Sequence, residues 1–139
     1  MILHALTSLS SVAKIGADMI IDVRAPVEFA EDHIPGAVNL PVLSDAERAL
    51  VGTIYARQSP FRARKVGAAL VAANAARHLQ GPLAELTGEW QPLVYCWRGG
   101  QRSNAFATIL DQVGWRVHLV TGGYRSYRRQ VSSALYDTP

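Results

Sequence analysis

The residue best suited to covalent chemistry in this sequence is Cys96, its single cysteine. Gly99 and Gly100 follow it, and Arg98 and Arg102 flank these two glycines. Glycines allow successive backbone N–H groups to converge on one point, where they form a cradle for an anion. A thiol beside such a cradle and two arginines ionises more easily than free cysteine, and its thiolate is the nucleophile. The alternative is a buried structural cysteine, which is the more common fate of an isolated cysteine.

The segments on either side of Cys96 predict a strand that ends at the cysteine and a helix that begins after the glycines. Residues 93–95 form a short apolar run, and apolar residues recur at helical spacing over residues 102–113. A helix N-terminus adds its partial positive charge to the point where the loop N–H groups converge. We therefore expect an anion-binding loop, with Ser103 as the cap of the helix. The loop residues are Trp97, Arg98, Gly99, Gly100, Gln101, Arg102 and Ser103.

Strands and helices alternate along the rest of the chain. Apolar runs at residues 19–23 and 117–120 predict buried strands, and residues 33–41 predict a turn and a brief strand. Helices are predicted at residues 12–15, 27–30, 44–57, 61–79 and 124–135. In the mixed segment before residue 19 we expect Ile2, Leu3 and Leu6 to be buried. The alternation predicts an α/β protein with a parallel central sheet and helices on both faces.

Length and composition indicate a single globular domain over residues 1–139. Hydrophobic residues make up 49% of the chain and charged residues 18%, which is typical of soluble proteins. One cysteine excludes an internal disulfide, and the four scattered histidines include no pair at ligand spacing, so we expect no metal and no cofactor. No apolar run approaches the roughly 20 residues of a membrane span, and no basic residue precedes the first apolar stretch. We expect a cytoplasmic protein that contacts no membrane.

Four basic side chains cluster at the joint between the helices predicted at residues 44–57 and 61–79. They are Arg57, Arg62, Arg64 and Lys65. The formal net charge of +3 is mild, so it permits a phosphate-bearing partner without requiring one. The cluster is either a solvated face or a contact for nucleic-acid phosphate.

Three charged residues follow or end the first buried strand. Asp22, Arg24 and Glu28 are spaced for local ion pairs and hydrogen bonds, which we expect to shape the loop after that strand. A catalytic carboxylate is the alternative, but no second acidic residue lies at a spacing suited to acid–base work.

Several segments together carry a resemblance to a known family. They are Asp22-Val23-Arg24, Glu28-Phe29, His33-Ile34-Pro35-Gly36-Ala37-Val38-Asn39-Leu40-Pro41, the loop from Cys96 to Ser103, and Gly122-Gly123-Tyr124. In these segments the chain resembles the rhodanese-like domain, from Ile20 to about Arg129. Asp32 departs from the pattern, because many members have glycine there. The resemblance implies a three-layer rhodanese-like sandwich, with Cys96 as the catalytic residue and residues 97–103 as the active-site loop.

Three longer segments are unusual among rhodanese-like domains. They are Tyr95-Cys96-Trp97-Arg98-Gly99-Gly100-Gln101-Arg102-Ser103, Glu47-Arg48-Ala49-Leu50-Val51-Gly52-Thr53-Ile54-Tyr55 and Gly122-Gly123-Tyr124-Arg125-Ser126-Tyr127-Arg128. These resemble the N-terminal part of the tRNA 2-selenouridine synthase family. That family replaces the sulfur of 2-thiouridine in tRNA with selenium and takes the selenium from selenophosphate. Its members continue into a P-loop domain. This chain contains no G-x-x-x-x-G-K-[ST], so we expect either an excised domain or a stand-alone relative.

The loop from Cys96 to Arg102 is seven residues long, one more than is common in rhodanese-like domains. The resemblance implies that Cys96 carries sulfur or selenium, with selenophosphate, thiosulfate or a persulfide as donor and tRNA as partner. The basic cluster would then contact tRNA, and Trp97 would either stack on a base or pack against the loop. Three alternatives stay open: a generic thiosulfate or persulfide sulfurtransferase, a Cys-x5-Arg phosphatase, and a non-catalytic module that binds an anion or tRNA.

Overall fold

A computed structural model of the chain describes residues 1–98 and 100–136, so Gly99 of the expected loop lies outside the described residues. Within these residues, five parallel strands form one sheet in the order β1-β5-β4-β2-β3. The strands are β1 (Ile2–Ala5), β2 (Met19–Asp22), β3 (Val38–Asn39), β4 (Pro92–Tyr95) and β5 (His118–Thr121).

Helices cover both faces of this sheet. The helices are α1 (Ser11–Ile15), α2 (Pro26–Glu31), α3 (Asp45–Arg57), α4 (Pro60–Gln80), α5 (Gln101–Val113) and α6 (Gly123–Tyr136). One core joins the sheet to α4 and α5 through Val71, Phe106 and Leu110. A second core joins the opposite face to α1 and α6, through Val12 and Tyr124. The α/β architecture with a parallel sheet between helices is therefore confirmed.

The first strand was not predicted from the sequence. β1 lies at the edge of the sheet and pairs with β5, with Leu3 opposite Leu119. Leu6 is buried as expected, but Leu3 is 61% exposed, so its expected burial is wrong. His4 on β1 also lies 2.7 Å from His118 on β5, between Nε2 and Nδ1. Four residues that pair with a strand more than a hundred positions away carry little local signal, which is why the strand was missed.

β4 is the central strand that positions the candidate site. All four of its residues are buried, as expected for a parallel strand that is covered on both faces. Successive side chains point to opposite faces, so Leu93 and Tyr95 enter the core beneath α6, whereas Val94 and Cys96 enter the core beneath α5. The strand therefore directs Cys96 toward the helix that follows it in the chain.

Candidate functional site

Cys96 comes directly after β4, at the carboxyl edge of the parallel sheet. Its side chain is buried, and the residue is only 2% exposed. The Sγ atom lies 3.0 Å from the Oγ atom of Ser103, on the first turn of α5. A strand end, a short loop and a helix start thus bring a thiol and a hydroxyl into direct contact.

Ser103 has a different role from the one expected. The N-cap of α5 is Gly100, which supplies no side-chain hydrogen bond, so the prediction that Ser103 caps the helix is wrong. The Ser103 hydroxyl instead donates to the carbonyl of Gly100 at 3.3 Å and lies beside the Cys96 sulfur. A hydroxyl has one proton and two lone pairs. It can therefore accept from the Cys96 thiol, or turn its proton toward a negatively charged sulfur.

The start of α6 holds the loop in place from the opposite face. The backbone N–H of Tyr124 donates to the carbonyl of Cys96 at 2.7 Å, and that of Arg125 donates to Trp97 at 2.9 Å. The turn before them needs glycine, because Gly122 has φ +79° and an added Cβ would lie 3.0 Å from Ser126. The loop after Cys96 is thus anchored by backbone bonds to a helix that begins 27 positions later.

A cleft of about 320 Å³ opens beside the loop. The described residues that line it are Arg24, Val27, Glu28, Glu31, Arg48, Trp97 and Arg102. The loop contributes Trp97 and Arg102 to this lining, whereas the buried Cys96 is not among the lining residues. The Trp97 ring also packs near Tyr124, with 5.7 Å between the ring centroids. Trp97 therefore packs against the fold and still borders the cleft.

Arg102 is paired with a carboxylate inside this cleft. Its Nη1 atom donates to Glu28 Oε1 at 2.7 Å, and Nη2 lies 3.5 Å from Oε2. Arg48 approaches the same Oε1 atom at 3.4 Å. Burial on its own would raise the pKa of Glu28, but the hydrogen bond and charge of Arg102 outweigh it and hold this pKa below its usual value. The cleft thus contains an ionised carboxylate between two guanidinium groups.

A family model for the rhodanese-like domain matches residues 8–130, which include the sheet from β2 to β5, the loop and the cleft. The chain belongs to the rhodanese-like domain family. It is similar to a tRNA 2-selenouridine synthase from Nitrosomonas europaea, with 43% identity over 117 residues that cover 84% of this chain and 30% of that protein. A tRNA 2-selenouridine synthase from Aeromonas salmonicida is 40% identical over 123 residues, covering 86% of this chain and 33% of its own length. The chain therefore spans about a third of the length of these relatives.

Solved structures agree with the family. An N-terminal domain from Clostridium difficile 630 is 35% identical, has a TM-score of 0.71, and is matched over 81% of this chain and 88% of its own. A rhodanese-related protein from Thermoplasma volcanium shares the fold, with a TM-score of 0.54 at 20% identity over 91% of this chain and 93% of that one. The rhodanese-like fold expected from the sequence is confirmed.

The rhodanese-like fold places the expected loop residues in different surroundings. Trp97 and Arg102 line the cleft, Ser103 lies beside Cys96, and Arg98 and Gln101 are exposed. The basic cluster lies at the joint of α3 and α4, as expected, with all four side chains exposed. Among the described residues, no helix is long and apolar enough to cross a membrane, and no three potential metal ligands lie together.

The network expected around β2 divides into two ion pairs. Asp22 and Arg24 form a buried pair, with 2.7 Å between Oδ2 and Nη2, so this part of the prediction is confirmed. The Arg24 guanidinium also lies 4.4 Å from the centroid of the Tyr124 ring. Glu28 turns away from this pair toward Arg102, a contact that links residues 74 positions apart. Local spacing gave no signal for that contact, and the role of Arg48 was missed for the same reason.

Proposed function

We propose that this rhodanese-like domain is a sulfur or selenium transferase that carries the transferred atom on Cys96. The observation that supports this most is the position of the Cys96 sulfur, 3.0 Å from the Ser103 hydroxyl at the start of α5. A hydroxyl that can turn its proton toward the sulfur stabilises a thiolate or a persulfide anion. The N-terminus of α5 adds a favourable potential for the same negative charge.

The loading step is a nucleophilic displacement at the outer atom of the donor. With thiosulfate, the Cys96 thiolate forms a bond to the outer sulfur, and the sulfur–sulfur bond of the donor breaks. Its electron pair leaves with sulfite, and Cys96 is left as a persulfide. With selenophosphate, the bond forms to selenium, the selenium–phosphorus electron pair leaves with phosphorus, and phosphite is released after protonation. The loop N–H groups would stabilise the charge that develops on the leaving oxyanion.

The proposed acceptor is the 2-thiouridine of tRNA. The selenium carried on Cys96 forms a bond to C2 of the base, the C2–sulfur bond and the selenium–Sγ bond break, and the displaced sulfur bonds to Sγ. The products are 2-selenouridine and a Cys96 persulfide, so the selenium is reduced by the two electrons that the displaced sulfur loses. Relatives that are 38–43% identical carry the name tRNA 2-selenouridine synthase, which supports this assignment. Because the chain spans about a third of those proteins, the domain would perform the chalcogen-carrying part of the reaction.

Mass spectrometry of the intact protein tests the loading step. After incubation with selenophosphate or thiosulfate, the chain should gain the mass of one selenium or one sulfur atom. Cys96→Ser should gain nothing, and since the chain has one cysteine the assignment is unambiguous. Ser103→Ala keeps the thiol and should load more slowly. Loading from thiosulfate alone would favour a generic sulfurtransferase. No loading from either donor would leave a phosphatase or a module that binds an anion or tRNA.

A Cys-x5-Arg phosphatase is the second candidate, supported by the seven-residue span from Cys96 to Arg102. Such an enzyme needs a protonated acid near the loop to supply the leaving oxygen with a proton. Glu28 lies in the cleft, but its lowered pKa keeps it ionised at neutral pH, so it is a poor acid. Hydrolysis of an aryl phosphate that is lost in Cys96→Ser would favour this candidate over chalcogen transfer.

We further propose that the basic cluster of Arg57, Arg62, Arg64 and Lys65 contacts the tRNA backbone. Arg57 ends α3, and Arg48 near its start borders the cleft. At 1.5 Å per residue the two arginines are about 14 Å apart along the helix axis. A backbone that follows α3 would therefore reach both the cluster and the cleft.

Salt-dependent tRNA binding tests this contact. Replacing Arg64 by alanine should reduce the slope of log affinity against log salt by about 1 and weaken binding about threefold to tenfold. Lys14→Ala is the matched control, because Lys14 is an exposed cation on α1 at the opposite face of the sheet. Equal effects of the two changes would show that only net charge matters, which would contradict a contact at the joint.

A further inference from the structure

A carboxylate of the protein itself, that of Glu28, is already paired with Arg102 of the loop in this cleft. Of the three arginines that line it, Arg24 is already bound to Asp22 in a buried pair. The other two, Arg48 and Arg102, both point a nitrogen at the same oxygen of Glu28. Every cleft guanidinium is thus engaged by a carboxylate before any ligand enters.

Glu28 is held in this place by its own helix. The backbone N–H of Ala25, the N-cap of α2, donates to Glu28 Oε1 at 3.0 Å. The carboxylate is therefore fixed by a capping contact as well as by Arg102, and its side chain is 12% exposed. A fixed, ionised carboxylate on a guanidinium has the same two-oxygen geometry that an oxyanion would present to it.

We propose that Glu28 competes with tetrahedral oxyanions for Arg102 and thereby sets how tightly the cleft binds them. Free phosphate or sulfate must displace a carboxylate that is already paired, so these ions bind weakly. A chalcogen donor meets the same competition at Arg102, but its outer atom also forms a bond to Cys96, whereas free phosphate only binds. The loading of Cys96 by a donor rests on the proposed function, whereas competition between Glu28 and an oxyanion does not.

Titration with inorganic phosphate tests this competition without any transfer chemistry. Glu28→Gln is nearly isosteric, and its amide oxygen can still accept from Ala25. It should bind phosphate at least about tenfold more tightly than the unsubstituted chain, because Arg102 no longer has a charged partner. Isothermal titration calorimetry at neutral pH measures the affinities. Adding Arg102→Lys to Glu28→Gln should remove most of the gain.

Glu31→Gln is the matched control, because Glu31 lines the same cleft and the substitution changes net charge by the same amount. Phosphate affinity in this variant should rise less than about threefold. Glu28→Asp provides a second variant that keeps the charge but shortens its reach, and it should also raise the affinity.

Three results would overturn the proposal: weaker phosphate binding in Glu28→Gln, unchanged binding, or an equal gain in Glu31→Gln. Weaker binding would show that Glu28 positions Arg102 for the anion, and an equal gain would reduce the effect to net charge. Because phosphate cannot load Cys96, a chain that fails to gain mass from a chalcogen donor could still show the phosphate effect. The failure of chalcogen transfer and the failure of this proposal are therefore separate observations.

Discussion

Two arginine–carboxylate pairs lie near the carboxyl end of the sheet, and they differ in how far water reaches them. In the Asp22–Arg24 pair, the side chains are 0% and 3% exposed. In the Glu28–Arg102 pair they are 12% and 21% exposed, and both residues line the cleft. The distance of closest approach is 2.7 Å in each. The two pairs have the same closest distance but different exposure. The buried Asp22–Arg24 pair therefore supports the fold, whereas a ligand can open the Glu28–Arg102 pair.

The buried Asp22–Arg24 pair makes further contacts beyond its own ion pair. Arg24 donates through Nε and Nη2 to Asp22 and through Nη2 to the carbonyl of Asp32, and its guanidinium faces the Tyr124 ring. The Tyr124 hydroxyl donates in turn to Asp32, and burial followed by this bond raises the pKa of Tyr124 to about 12. Opening this pair would leave a charge without its counter-ion where the two side chains are 3% and 0% exposed, so we assign the pair to the stability of the fold.

Removing the carboxylate of the buried pair should have the largest effect. Asp22→Asn leaves the buried Arg24 charge without a carboxylate partner, and we expect the free energy of unfolding to fall by about 3–5 kcal/mol. Glu28→Gln, the matched change in the cleft pair, should cost about 1 kcal/mol or less, because water can reach the guanidinium that it leaves. Urea unfolding followed by circular dichroism measures both. Equal losses would break the distinction between the two pairs.

Replacing the arginine of each pair by lysine should affect different properties: the rate of Cys96 loading for Arg102 and the stability of the fold for Arg24. Arg102→Lys keeps the charge but loses the planar fork, so we expect the rate of Cys96 loading to fall by about tenfold to a hundredfold. The free energy of unfolding should change by less than about 1 kcal/mol. A time course of mass gain gives the rate.

Arg24→Lys is the control for this exchange, and its main loss should appear in the urea midpoint. If Arg102→Lys loaded at the parent rate, the cleft guanidinium would have no part in binding the donor.

The sequence was sufficient to predict the α/β fold, apart from β1, and the position of Cys96 at the end of a buried strand. A buried apolar run before Cys96, two glycines after it and helical spacing beyond them are all local signals, and the strand, loop and helix follow them. The start of the helix predicted from residue 44 is also a local feature, because Ser44 and Glu47 are three positions apart and each side chain accepts from the other's backbone N–H. Local chemistry of this kind needs no knowledge of the rest of the chain.

The cleft could not be predicted in the same way. Its central contact joins Glu28 to Arg102 across 74 positions, and Arg48 reaches it from a third element. Sequence spacing placed Glu28 with Asp22 and Arg24, which are closer in the chain. The outcome depends on the sheet order, which puts β2 and β4 side by side and brings the segments after them together. Which arginine Glu28 pairs with therefore depends on how the strands assemble and not on the spacing of residues in the sequence.

Acid should open the cleft pair, and this is the smallest effect that we expect. The pKa of Glu28 is lowered from 4.5, so its contribution to stability is present above the unfolded pKa of about 4.5 and is lost as pH falls through the folded pKa. The difference in unfolding free energy between the parent and Glu28→Gln, about 1 kcal/mol or less at neutral pH, should shrink toward zero well below pH 4.5. Burial, and after it the charge of His4, lowers the pKa of His118, so protonation of His118 below about pH 6.5 destabilises the parent and Glu28→Gln equally. Subtracting one unfolding free energy from the other removes this contribution. A difference that stayed constant into acid would mean that the charge of Glu28 on Arg102 does not contribute to it.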